Sequence, residues 1–127
     1  MKKKILLVED HPANIDMLRT GLEFLGYAVT VAEDGKEAVE MAASELPDLI
    51  VMDILLPTMN GLEAVARIRN NPRTQSIPIL AATALAMSGD KEKCLEGGCN
   101  AYIAKPFTPK QLAAAIEKLL ESHSEKS

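Results

Sequence analysis

Leu49-Ile50-Val51-Met52-Asp53 decides the fold: four consecutive apolar residues that end on a carboxylate. A run with no polar alternation suits a strand covered on both faces, as in a parallel sheet flanked by helices. Outward from it, similar runs recur. Ile5-Leu6-Leu7-Val8 and Ala28 to Ala32 lie upstream, and Ile79 to Ala82 and Tyr102-Ile103-Ala104 lie downstream.

Helical patterns separate these runs. Ile15, Leu18, Leu22 and Leu25 share one stripe, with Pro12 placed for a first turn and Gly26 for a stop. Asp34-Gly35 reads as a turn before the short stripe Ala38, Val39 and Ala42, and Pro47 punctuates. Asn60 with Glu63 can cap a third helix whose buried face is Leu62, Val65 and Ile68. A weaker helix spans about Ser88 to Glu96 and stops at Gly97-Gly98. Thr108, Pro109 and Gln111 make the clearest helix start, ahead of the stripe Leu112, Ala115, Ile116 and Leu119. From about Ser122 the chain is a polar, fraying tail. Five strand-helix units predict an α/β doubly wound parallel sheet with right-handed crossovers, one domain over 1–127.

Bulk properties narrow the function. The chain has 127 residues and a net charge of -4, with a pI near 5.2, which argues against nucleic acid as the main partner. Lys2 to Lys4 are the only basic run, short and ahead of a strand. Cys94 and Cys99 lack zinc-site spacing and suit a reducing compartment. There is no signal-peptide pattern, and the longest apolar run, Ile77 to Met87, is too short to span a bilayer. A cytoplasmic location is the default expectation.

Chemistry gathers at the strands' carboxyl ends, where open parallel sheets bind ligands. Glu9-Asp10 ends the first strand, Asp53 the third, Thr83 the fourth and Lys105-Pro106 the fifth. Two like charges about 4 Å apart repel by roughly 4 kcal/mol at an effective dielectric of 20, so a proton or a cation must offset the acids. Carboxylate oxygens without His or Cys suit Mg²⁺, or Mn²⁺ in its place. Such a site fits phosphoryl transfer, with Asp53 as nucleophile, Lys105 as charge partner and the Thr83 hydroxyl as donor.

With Leu7-Val8-Glu9-Asp10, Met52-Asp53-Ile54-Leu55-Leu56-Pro57-Thr58-Met59-Asn60-Gly61, Ala82-Thr83-Ala84 and Lys105-Pro106, the chain resembles the receiver domain of two-component response regulators from Ile5 to about Leu120. Gly97-Gly98-Cys99-Asn100-Ala101-Tyr102-Ile103 is similar to the single-domain, cell-cycle type. The resemblance implies a flavodoxin-like sheet of order 2-1-3-4-5 with five helices. It implies Asp53 as phosphoacceptor and metal ligands from Asp10, Asp53 and the Leu55 carbonyl, with Glu9 acting through a water. It makes Thr83 and Tyr102 a switch pair and implies a cis Lys105-Pro106 bond. The phosphoryl donor would be a histidine kinase or phosphotransfer domain, and the signal would pass to a protein target through the fourth helix, fifth strand and fifth helix. The domain would assist its own phosphorylation without being a turnover enzyme. With no output domain in the sequence, its readout is expected to be protein binding.

Plainer readings stand beside these. Asp53 is a surface acid, Glu9-Asp10 complements the first helix dipole, and Tyr102 simply packs against the last helix. His11 is an exposed loop residue. Two rival functions share the fold. An aspartyl-phosphate hydrolase commonly carries Asp-x-Asp, but Leu55 stands two residues after Asp53. A flavin carrier needs a phosphate-binding loop after the first strand, where Glu9-Asp10 would repel phosphate.

Overall fold

The apolar runs become the strands of one sheet. The structure, a computed structural model, describes residues 2–54, 61–83 and 90–126. In chain order the elements are β1 (Lys4–Val8), α1 (Pro12–Phe24), β2 (Ala28–Ala32), α2 (Gly35–Glu45), β3 (Leu49–Asp53), α3 (Gly61–Arg69), β4 (Ile79–Thr83), α4 (Asp90–Glu96), β5 (Ala101–Ala104) and α5 (Pro109–Lys126). All strand pairs are parallel, in the order β2-β1-β3-β4-β5.

Alternation along each strand sends side chains to two cores. Leu6, Val8, Ile50 and Met52 face one layer, where Ala38 and Ala42 of α2, Val65 and Ile68 of α3 and Cys94 of α4 pack. Ile5, Leu7, Leu49 and Val51 face the other, filled by Leu18 and Leu22 of α1 and Leu112 and Ile116 of α5. β3 is buried at every position because it is central and covered on both faces. Burying each of these large side chains contributes roughly 1.5–3 kcal/mol. Cys94 and Cys99 are buried, and burial pushes the Cys99 thiol up to about 12.

Local signals account for most element ends. Pro12 opens α1, and Gly26 follows it at φ 102°. Leu25, expected on the buried stripe, is instead the half-exposed C-cap, because the helix ends one residue earlier at Phe24. Asp34 is extended and caps α2, its Oδ1 accepting from Glu37 N at 2.8 Å, so Asp34-Gly35 is a helix start and not a free turn. Thr108 and Gln111 form a reciprocal capping box at 3.1 and 2.9 Å. α5 stays helical to Lys126, past the expected tail start at Ser122, since no Gly or Pro interrupts 110–126. The expected Asn60 cap and Ser88 start lie outside the described residues.

The end of the sheet opposite the strands' carboxyl termini is braced by one side chain. Arg69, the last residue of α3, donates to the carbonyls of Gly98 (3.0 Å), Gln75 (2.9 Å) and Ile77 (2.7 Å). It also donates to Asn100 Oδ1 at 2.7 Å, which accepts from Ile79 N at 2.8 Å. α3, the segment before β4 and the α4–β5 connection are thereby tied together.

Candidate functional site

The carboxyl ends of β1 and β3 bring three acids together. Val8 registers against Met52, so Glu9 and Asp53, each the next residue, project from neighbouring strand ends. Glu9, Asp10 and Asp53 each offer a carboxylate oxygen, and these atoms lie within 4.8 Å of one another. Asp10 is partly exposed, whereas Glu9 and Asp53 are buried.

Lys105 bridges the buried pair. Its Nζ donates to Glu9 Oε1 at 2.8 Å and to Asp53 Oδ2 at 3.1 Å. The lysine side chain is only 22% exposed, so water screens these contacts weakly. The other Glu9 oxygen, Oε2, accepts from Asp10 N at 3.0 Å and His11 N at 3.2 Å, where the chain turns into α1. Burial raises the Glu9 pKa, but the hydrogen bonds from Lys105 and His11 and the lysine charge outweigh it, leaving it below 4.5. Burial lowers the Lys105 pKa, and Glu9 and Asp53 outweigh that in turn, holding it above 10.5. Both groups are therefore charged at neutral pH.

Thr83 is fully buried at the end of β4, and its carbonyl accepts from Lys105 N at 2.9 Å. Asp53 registers against Ala82, so Thr83 lies one residue past it on the next strand. Tyr102 sits lower on β5, opposite Ala81, and packs against the α2–α3–α4 core, away from α5. Lys105-Pro106 is cis. His11 is exposed and occupies the α1 N-cap position. The Leu55 carbonyl lies outside the described residues. The sequence reading did not single out a cleft of about 160 Å³ beside Lys105, lined in part by Asn14, Met17 and Phe107. Phe107 follows the Lys105-Pro106 motif directly, which is the signal that points to it.

Three acids against one ammonium leave excess negative charge in a small volume. Among the described residues the cluster consists of carboxylates, with no His or Cys in it, and hard oxygens fit a small divalent cation. Glu9, Asp10 and Asp53 are the residues that could hold it, each with one carboxylate oxygen in the cluster.

Comparison with known proteins agrees with this geometry. Residues 5–117 match the family model of the response regulator receiver domain. A curated relative, the polar-differentiation response regulator DivK of Brucella anthropi, is 38% identical over 120 residues, covering 94% of this chain and 98% of its own. The receiver domain of a sensor histidine kinase from Pseudomonas aeruginosa PAO1, solved with a magnesium ion coordinated in its active-site cleft, superposes with a TM-score of 0.88 at 40% identity. It covers 95% of this chain and 99% of that one. A CheY-like receiver domain protein from Methanospirillum hungatei JF-1 gives a TM-score of 0.91 at 29% identity, with both chains fully covered. The sheet order, the acidic pocket and the match across most of its length place this chain in the response regulator receiver domain family of two-component signalling.

Proposed function

We propose that Asp53 accepts a phosphoryl group from a phosphohistidine on a histidine kinase or phosphotransfer protein. An Asp53 oxygen attacks phosphorus, the O–P bond forms, the N–P bond breaks, and the imidazole nitrogen keeps the electron pair. Asp10 and Asp53 would hold Mg²⁺, or Mn²⁺ in its place, and the Leu55 carbonyl, the other expected protein ligand, lies outside the described residues. The metal supplies positive charge for the transferring group. Lys105 neutralises a phosphoryl oxygen, and Thr83 donates its hydroxyl to another. Glu9 holds Lys105 in place and would reach the metal through a water. The domain assists its own phosphorylation and dephosphorylation, and acts on no outside substrate in turnover.

The added charge biases Thr83 and Tyr102, and through them the α4–β5–α5 face, toward a form that binds a protein target. Among the described residues no helix is long and apolar enough to cross a membrane, and we place the domain in the cytoplasm beside its donor. The hydrolase and flavin-carrier alternatives draw no support from the family match.

The observation that carries this reading is the Lys105 bridge within the cluster of three acids. Incubation with acetyl phosphate and Mg²⁺, followed by mass mapping, tests it. The expected product is one phosphoryl group on Asp53, absent from Asp53→Asn. Full labelling of that variant at another residue would defeat the assignment.

A further inference from the structure

We infer that Gly61 is a positioning residue for Asp53: its missing side chain lets α3 seat directly on the peptide that carries the phosphoacceptor. This rests on Asp53 being the phosphoacceptor. A Cβ built at Gly61 falls 2.6 Å from the Asp53 carbonyl oxygen, 2.6 Å from Ile54 Cα and 3.0 Å from Ile54 Cδ1. The two closest atoms are backbone, so no change of rotamer relieves the clash. Either the Asp53–Ile54 peptide or the start of α3 must move.

Backbone conformation does not explain a glycine here. Gly26 and Gly98 have positive φ, and Gly61 does not. Helix propensity offers no reason for it either: Gly61 opens α3, and glycine is a poorer helix former than alanine. Close approach is the remaining physical reason.

The seat is hydrogen-bonded on both sides. Gly61 N donates to Ile54 O at 2.8 Å, and Ile54 N donates to Ala82 O at 3.1 Å. Ile54, the residue after Asp53, is thus held between β4 and α3 through its N–H and its carbonyl. That fixes the origin of a carboxylate which must meet both Lys105 and Asp10. Misplacing a reacting group by about 1 Å can cost roughly 100-fold in rate.

The test measures the rate of phosphorylation of the full-length chain by acetyl phosphate at saturating Mg²⁺, corrected for folded fraction. Gly61→Ala is expected to be slower by about tenfold or more. Ile68→Val, which loosens the packing of the same helix far from Asp53, should stay within about twofold. A Gly61→Ala rate within twofold of the wild type overturns the inference. A wild-type chain that takes no label on Asp53 overturns the phosphoacceptor reading and this inference with it, an outcome recognised without any variant.

Hydrogen exchange on the unmutated chain decides the matter if Gly61→Ala does not fold. Beryllofluoride with Mg²⁺ should slow the Gly61 amide by about tenfold more than it slows the Ile116 amide. Equal slowing at both positions overturns the inference, because a purely structural seat would feel only the global stabilisation.

Discussion

Two half-buried cations brace opposite ends of this sheet, and they differ in what they meet. Arg69 meets neutral acceptors: three backbone carbonyls and the Asn100 amide oxygen. Lys105 meets two buried carboxylates, with a third beside them. The first arrangement satisfies directed donors without gathering opposing charge, and it ties elements together. The second packs three negative charges around one positive charge and is stabilised by any further cation. A planar fork suits the first task, and a compact ammonium that can shift between oxygens suits the second. One end of the sheet is tied by neutral acceptors, and the other gathers acids that could hold a metal ion.

Lys105→Met should produce the largest effect. The phosphorylation rate is expected to fall by about 100-fold or more, as when a preorganised charge is removed from a reacting centre. Mg²⁺ affinity should rise, because the ammonium no longer competes for Glu9 and Asp53. Calorimetric titration beside the rate assay checks both, and a fall in Mg²⁺ affinity would contradict the account.

Arg69→Gln should act on stability alone. Loss of its charged hydrogen bonds is expected to cost about 2–3 kcal/mol in urea unfolding. Mg²⁺ affinity of the folded protein should change by less than about twofold. A large loss of metal affinity would erase the distinction between the two ends.

Glu9 and Asp10 provide a finer contrast. Asp10→Asn should weaken Mg²⁺ binding by about tenfold, and more than Glu9→Gln, since Asp10 is the proposed direct ligand. Glu9→Gln should destabilise the metal-free fold more than Asp10→Asn, because it removes a charged partner of the half-buried Lys105. The reverse order in either measurement would reassign the ligands.

The smallest effect is in pH dependence. Glu9 is depressed below 4.5 in the fold, so its contribution is present above that pH and is lost as pH falls through the depressed value. Lys105 is raised above 10.5, so its contribution is present below that pH and is lost as pH rises through the raised value. Metal-free wild-type protein should therefore lose stability as the pH drops below 4.5. In Lys105→Met the hydrogen bond and charge that hold Glu9 low are gone while its burial remains, so thermal melts should show a smaller acid loss, or a gain.

Much of this was legible in the sequence. Uninterrupted apolar runs such as Leu49 to Met52, alternating five times with helical patterns, point to a covered parallel sheet, and the residues at their carboxyl ends define one rim. That rule set Glu9, Asp53, Thr83 and Lys105 at one rim before any family likeness entered, and the likeness supplied much of the roles proposed for them. The strand order came from the likeness, because periodicity does not say which strands neighbour each other. The Arg69 brace was invisible, since its acceptors are mostly backbone carbonyls that any residue supplies. The role of Gly61 was hidden too: a close approach leaves no trace in composition or spacing. Leu25 was misplaced because a stripe predicts a face but not the residue at which the helix ends. Asp34-Gly35 has the signature of both a turn and a helix cap, and the capping bond to Glu37 N decided between them.

The central claim is that the acid cluster around Lys105 is a divalent-metal site that depends on Asp53. The most direct test follows the thermal midpoint of wild type and Asp53→Asn through a Mg²⁺ titration at constant ionic strength. The account predicts a saturable rise in the wild type that is strongly reduced in the variant. The same rise in both proteins, or none in the wild type at millimolar Mg²⁺, would contradict it.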